Sequence, residues 1–302
     1  MQTHRRIQKV FKSSPVIEGA GVHLKRAIGF SHVPTFDPFL LLDDFRSNEP
    51  EHYLKGFPWH PHRGIETITY VLRGNVEHGD SMGNKGDITS GDVQWMTAGS
   101  GIIHQEMPKG DARGRMEGFQ LWANLPASQK MMAPRYRDVT ADQIPVVRWN
   151  NGIEIKVISG DVGGVKGPVQ DIVIDPEYID ISIPAHSAYV HPTRPGHTVF
   201  AYVVGGRGCF CDEKKPFAYE VEGANYFDMA RDAFWGNETL ILFEDGDRIT
   251  VSTEEEPVRF LLISGRPLGE PIAWQGPIVM NTQEELAVAF DEYRQGTFIK
   301  HD

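Results

Sequence analysis

Cysteine is almost absent. Of 302 residues only Cys209 and Cys211 are cysteines, and a pair spaced two apart cannot build a disulfide framework, so the fold must rest on an apolar core. The two thiols read as ordinary buried side chains rather than a redox couple. Long apolar runs are missing as well. Nowhere do about eighteen apolar residues follow one another, the length that a membrane-spanning helix needs. The opening MQTHRRIQKVFKSS is basic but lacks an apolar stretch of about seven residues behind the charges, so it does not read as a secretory signal, and a cytoplasmic location is expected. Positive charge is in deficit: 30 Lys and Arg face 41 Asp and Glu, a formal net charge of -11. That balance argues against broad contact with nucleic acid phosphates, and favours proteins or small molecules as partners.

Helical periodicity is scarce too, and what replaces it is short, turn-bounded strand signal. Pro34 and Pro38 break any 3.6-residue period before the run Phe39 to Leu42. Residues 65–72, IETITYVL, are rich in β-branched and aromatic side chains and end at Gly74. Similar runs recur at 93–97, 102–107 and 118–125, and then from VVRW and IEIKVISG through TVFAYVVGGRG. Tyr70-Val71-Leu72-Arg73-Gly74 finds an echo in Tyr202-Val203-Val204-Gly205-Gly206, 132 residues on. Two barrels or sandwiches are expected, residues 1–140 and 141–302, with a break somewhere in 136–146. The clearest helix lies at the end: Thr282 and Glu285 fit a capping box, and Leu286, Ala289, Phe290 and Tyr293 follow with helical spacing.

The chemistry concentrates in residues 56–108. His60 and His62 stand at i and i+2, and His104 and Glu106 repeat that spacing. On strands, each pair shares a face, and two neighbouring strands would aim three imidazoles and a carboxylate at one point. A first-row divalent metal wants such a set. Glu66 competes with Glu106 for the carboxylate position if the first strand runs without a bulge. At the offset of the internal echo, His60, His62 and Glu66 become Pro192, Arg194 and Thr198, so the second half carries the frame without the ligands; His191 and His197 read as loop or surface histidines. Phe45, Phe57, Trp59, Trp95 and Met96 are candidates to line an aromatic pocket, and Arg63 to steer an anionic substrate.

The stretches HPHRGIETITYVLRG and GDVQWMTAGSGIIHQEMP resemble the two motifs of the cupin superfamily. With DPFLLLDDF, GFQLWANLP and GPIVMNT, they resemble more narrowly the pirin family, over nearly the whole chain. The resemblance implies an all-β bicupin with a metal-loaded N-terminal barrel and a metal-free C-terminal one. It makes His60, His62, His104 and Glu106 the ligands of one ion, Fe(II) first, with Mn, Co, Ni, Cu or Zn also accepted by such donors. It further implies a quercetin 2,3-dioxygenase activity, with O2 as co-substrate, a flavonol opened with loss of carbon monoxide, and Glu106 as both ligand and base. The resemblance also implies another role, an iron-dependent regulator without turnover, which in eukaryotic relatives binds a transcription factor and in some bacterial relatives controls a metabolic enzyme. Cupin folds host many chemistries, and a small-molecule substrate unrelated to flavonols is the third reading.

Overall fold

The expected strands form, and long-range pairing decides where they go. The structure, a computed structural model, describes residues 3–212, 214–224 and 231–301. The chain divides into two compact units, Ser14–Gln143 with Leu268–Asp302, and Met1–Ser13 with Ile144–Pro267. The chain passes from one unit to the other at Gln143/Ile144 and again at Pro267/Leu268, and its first thirteen residues belong with the later unit. Ile7–Lys12 runs antiparallel along Thr239–Phe243, with Val10 opposite Ile241. Thr239–Phe243 is buried throughout, and a buried edge with open N–H and C=O groups needs such a partner. Local sequence pattern does not report that pairing.

The first unit contains β1 (Ser14–Glu18), β2 (Val22–Ile28), β3 (Phe39–Asp44), β4 (Phe57–His62), β5 (Ile65–Arg73), β6 (Asn75–Asp80), β7 (Lys85–Thr89), β8 (Val93–Thr97), β9 (Ile102–Lys109), β10 (Glu117–Asn124) and β11 (Arg135–Val139). They form a seven-stranded sheet in the order β11-β8-β5-β10-β3-β2-β1 and a four-stranded sheet in the order β4-β9-β6-β7. Along β9 burial alternates strictly, with Ile102, His104, Glu106 and Pro108 inward, as a strand with one wet face requires.

The seven-stranded sheet carries a row of polar side chains set by register alone. Arg26 lies opposite Asp43, Asp43 opposite Gln120, Gln120 opposite Thr69, Thr69 opposite Gln94, and Gln94 opposite Asp138. Buried polar groups persist where they find partners, and these do. Arg26 holds Asp43 through two parallel bonds of 2.8 and 2.7 Å, and Gln94 donates to Asp138 at 2.9 Å. An apolar layer of Leu40, Leu41, Ile65, Met96, Ile102 and Trp122 packs beside the row.

The end of the chain returns to this unit as a hairpin, β12 (Ala273–Gln275) and β13 (Ile278–Met280), followed by α1 (Gln283–Gln295). The capping box is present: Glu285 N donates to Thr282 Oγ1 at 3.1 Å, and Thr282 N to Glu285 Oε2 at 3.0 Å. Leu286 and Ala289 are buried against Ile278, Met280 and Phe298, while Tyr293, expected in the same stripe, is 39% exposed and meets the Phe298 ring edge-on. Gly296, at φ +73, ends the helix.

In the second unit the strands Glu177–Ile183, Thr198–Cys209 and Val258–Gly265 lie side by side over an aliphatic core. Cys209 and Cys211 are buried there as thiols, as expected, and Cys209 Sγ donates to the Cys211 carbonyl at 3.5 Å. His191 corrects the sequence reading. It is buried on the strand Ala188–Pro192, with Nε2 2.9 Å from Glu177 and Nδ1 3.1 Å from the Tyr189 hydroxyl. Among the described residues no helix is long and apolar enough to cross a membrane.

Candidate metal centre

Register brings the two histidine segments together. On the four-stranded sheet His104 of β9 lies opposite His60 of β4, and His62 shares the face of His60. The donor nitrogens of His60, His62 and His104 all lie within 4.8 Å of one another. Nε2 of His60 is 3.0 Å from Nε2 of His62 and 3.0 Å from Nε2 of His104. That is the spacing of adjacent ligands at right angles when each bond to a shared ion is about 2.1 Å.

The tautomers sharpen the case. His60 Nδ1 is 2.8 Å from the Pro58 carbonyl, and His62 Nδ1 is 3.1 Å from the Pro277 carbonyl. A carbonyl oxygen only accepts, so both Nδ1 atoms carry the proton and both Nε2 atoms present lone pairs. Two lone pairs facing each other at 3.0 Å repel unless a cation lies between them. A proton is disfavoured there. Burial first, then His60 and His104, holds the His62 imidazole well below its ordinary value; burial, then His60 and His78, does the same to His104. The donor set therefore fits a divalent metal ion.

The carboxylates divide. Glu106 is buried and shares the face of His104. Thr69 Oγ1 donates to its Oε1 at 2.9 Å and Gln120 Nε2 to its Oε2 at 2.8 Å, while Trp122 Nε1 donates to Gln120 Oε1 at 3.1 Å and fixes the amide. Glu106 is not part of the tight three-nitrogen cluster. Glu66 lies an odd number of residues from Thr69 and so on the opposite face of β5. There it accepts from Trp95 Nε1 at 3.0 Å and Thr97 Oγ1 at 2.7 Å. Gly64, at φ +80, breaks the phase between β4 and β5.

Comparison with known proteins agrees with this architecture. The family model described as Pirin matches residues 21–123, and that of the Pirin C-terminal cupin domain matches residues 178–299. A pirin-like protein of Caulobacter vibrioides is 41% identical over 295 residues, covering 97% of this chain and 99% of its own. The chain belongs to the pirin family. A Pseudomonas aeruginosa protein named "Putative quercetin 2,3-dioxygenase" is 39% identical over 300 residues, covering 98% and 99% of the two chains. A crystal structure of quercetin 2,3-dioxygenase from Acinetobacter baumannii superposes with a TM-score of 0.83 at 28% identity, covering 98% of this chain and 99% of that one. The all-β bicupin fold is that of the family.

In this pirin a cavity of about 610 Å³ reaches His60 and His62. Phe57 and Trp59 line it. Phe45, Trp95 and Met96 do not belong to its wall: Phe45 and Met96 are buried in separate apolar clusters, and Trp95 is spent on Glu66. The wall includes residues the sequence reading missed, among them Leu41, Trp122, Trp274, Gln120 and Asp43. Trp274 comes from the C-terminal hairpin, and nothing local marks it. Trp122 stands edge-on to His62 at 5.0 Å between centroids. Arg63 is buried rather than free to steer substrate. Its Nη1 lies 2.8 Å from Glu292, its Nη2 donates to the Phe298 carbonyl at 2.9 Å, and its guanidinium sits 4.2 Å from the Phe298 ring centroid. It anchors the C-terminal segment.

The depressed imidazoles make stability depend on pH. Below about pH 6.5 the unfolded chain protonates His62 and His104 while the folded chain does not, so each lowers stability by up to about 1.4 kcal/mol per pH unit. Asp43, pushed up to about 6 chiefly by burial, takes up its proton in the folded state first and offsets one of the two. Metal-free protein should therefore lose stability toward denaturant between pH 6.5 and 5. A His62→Gln, His104→Gln double variant should not; an equal loss in that variant would refute the assignment.

Proposed function

We propose that this pirin is a cytoplasmic dioxygenase that opens the heterocyclic ring of a flavonol such as quercetin with O2 and releases carbon monoxide, using one divalent ion, Fe(II), held by His60, His62, His104 and Glu106. The observation that carries the reading is the convergence of the Nε2 atoms of His60, His62 and His104, the first two with Nδ1 tied to carbonyls and both reached by an aromatic-walled cavity. The Pseudomonas and Acinetobacter relatives bear the name of this activity, and a cavity of about 610 Å³ suits a ligand of that size.

A bound ion supplies a Lewis-acidic position and a partner for dioxygen. The chain supplies the rest. Phe57, Trp59, Trp122 and Trp274 offer apolar faces to a planar ring and displace water from it. Glu106 takes the proton of the flavonol 3-hydroxyl, with Thr69 and Gln120 holding its carboxylate in place. The Pro58 and Pro277 carbonyls fix the tautomers of His60 and His62. A cavity that reaches the histidines favours turnover over a purely regulatory, protein-binding role.

Iron-loaded protein should consume oxygen with quercetin and release carbon monoxide in equal amount; silence with Fe, Mn, Co, Ni, Cu and Zn alike refutes the named reaction. Glu106→Ala is expected to weaken metal binding by about 10- to 100-fold or more and to abolish uptake, while Glu66→Ala keeps the metal. Metal analysis showing the reverse would move the fourth ligand to Glu66.

A further inference from the structure

One wall of the cavity carries three charged side chains that take no part in gathering the histidines. Arg26 donates to Asp43 from Nε and Nη2 and to Glu18 Oε1 from Nη1, at 2.8, 2.7 and 2.9 Å. All three residues line the same cavity as His60 and His62. Asp43 is only 6% exposed, and a buried ion pair gives little stability over apolar residues of the same size. Its place on a ligand cavity suggests another use.

Donor accounting indicates which use. Three of the five guanidinium N–H groups already donate to carboxylates, which leaves two, whereas the carboxylates have more lone pairs to spare, about four sites each before these bonds. Two carboxylates and one guanidinium leave the wall with one net negative charge. Its free acceptor sites outnumber its free donors, so it chiefly accepts hydrogen bonds, and its net charge disfavours anions. Asp43 also stands next to the metal centre's support. It lies directly opposite Gln120, one strand spacing of about 4.8 Å away, and Gln120 donates to Glu106. A planar ligand lying along the tryptophans can meet both.

We propose that Asp43, clamped by Arg26 and flanked by Glu18, is the specificity subsite of this cavity: it receives the hydroxyl groups of a polyhydroxylated aromatic ring, adjacent hydroxyls above all, and disfavours rings bearing carboxylate or sulfate. The inference rests on the cavity being an aromatic-substrate site, as proposed above. It adds which substituent is read and by what.

Quenching of tryptophan fluorescence in metal-loaded protein measures binding of quercetin, with adjacent hydroxyls on its pendant ring, and of galangin, with none there. The wild type should bind quercetin about tenfold more tightly. Asp43→Asn should erase that preference by weakening quercetin about tenfold and galangin less than about twofold. Glu18→Gln, at a side chain 43% exposed, should produce a smaller loss confined to quercetin. Equal weakening of both flavonols, no preference in the wild type, or no binding of either overturns the proposal. So does a preference that survives Asp43→Asn, which would assign it to the metal. If Asp43→Asn fails to fold, by its circular dichroism, the Glu18→Gln comparison decides. Discrimination that depends on Asp43 without any oxygen uptake would refute the dioxygenase reading and leave this subsite standing.

Discussion

A His62→Ala variant should retain no divalent metal after dialysis and should show no flavonol turnover. Of the three histidines, His62 is held most fully: it is 1% exposed, its Nδ1 is tied to Pro277, its ring stands against Trp122, and its Nε2 faces that of His60 at 3.0 Å. Loss of an outer hydrogen-bond partner costs about 10- to 100-fold in metal affinity; loss of the donor itself should cost more, at least about 1000-fold. Titration calorimetry and elemental analysis give the number. His78→Ala is the contrast. Its Nε2 is 3.0 Å from Gln94 Nε2, and it lies outside the three-nitrogen cluster, so this variant should bind metal within about tenfold of wild type. Equal metal content in wild type and His62→Ala would sink the site.

The reason these residues could be picked from the sequence is that strand chemistry is local. An i, i+2 pair shares a face whatever the tertiary fold, so His60 with His62 and His104 with Glu106 were legible as pairs, and the glycines at 99 and 101 marked where the second strand begins. The capping box at Thr282 is local too. What could not be read is everything fixed by register between distant strands. The row from Arg26 to Asp138 spans six strands, and no spacing along the chain announces it. In the sequence Asp43 merely follows the apolar run Phe39 to Leu42; pairing with Arg26 and Gln120 sets its place, and it lines the cavity. The phase break at Gly64 was visible as a glycine, but its effect, turning Glu66 toward Trp95 and Thr97, needed the structure.

The C-terminal segment is held to the metal-binding unit by a buried lysine. Lys130 is 1% exposed, and its ammonium donates to the Gly64 carbonyl at 2.9 Å, Asn124 Oδ1 at 2.7 Å and the Val279 carbonyl at 3.0 Å. Three acceptors match its three N–H groups, even though burial pushes its pKa down to about 7. Gly64 packs so closely on Val279 that a Cβ there would fall 1.9 Å from the Val279 oxygen. Lys130 thus ties the turn after His62 to the segment whose Pro277 orients His62.

Lys130→Met keeps most of the volume and removes all three bonds. Stranding a buried acceptor costs about 1–3 kcal/mol, and relief from burying a charge returns part of that, so a net loss of about 3 kcal/mol is expected. For a unit of this size that lowers Tm by roughly 6–12 °C. Because Val279 and Pro277 lie two residues apart, loosening one frees the other, and metal affinity should fall about 10- to 100-fold although no ligand has changed. A variant with lowered Tm and wild-type metal affinity would show that Pro277 holds His62 without help from Lys130. A variant with unchanged Tm would mean that Asn124 and the two carbonyls find other donors, and the clasp would have no structural role.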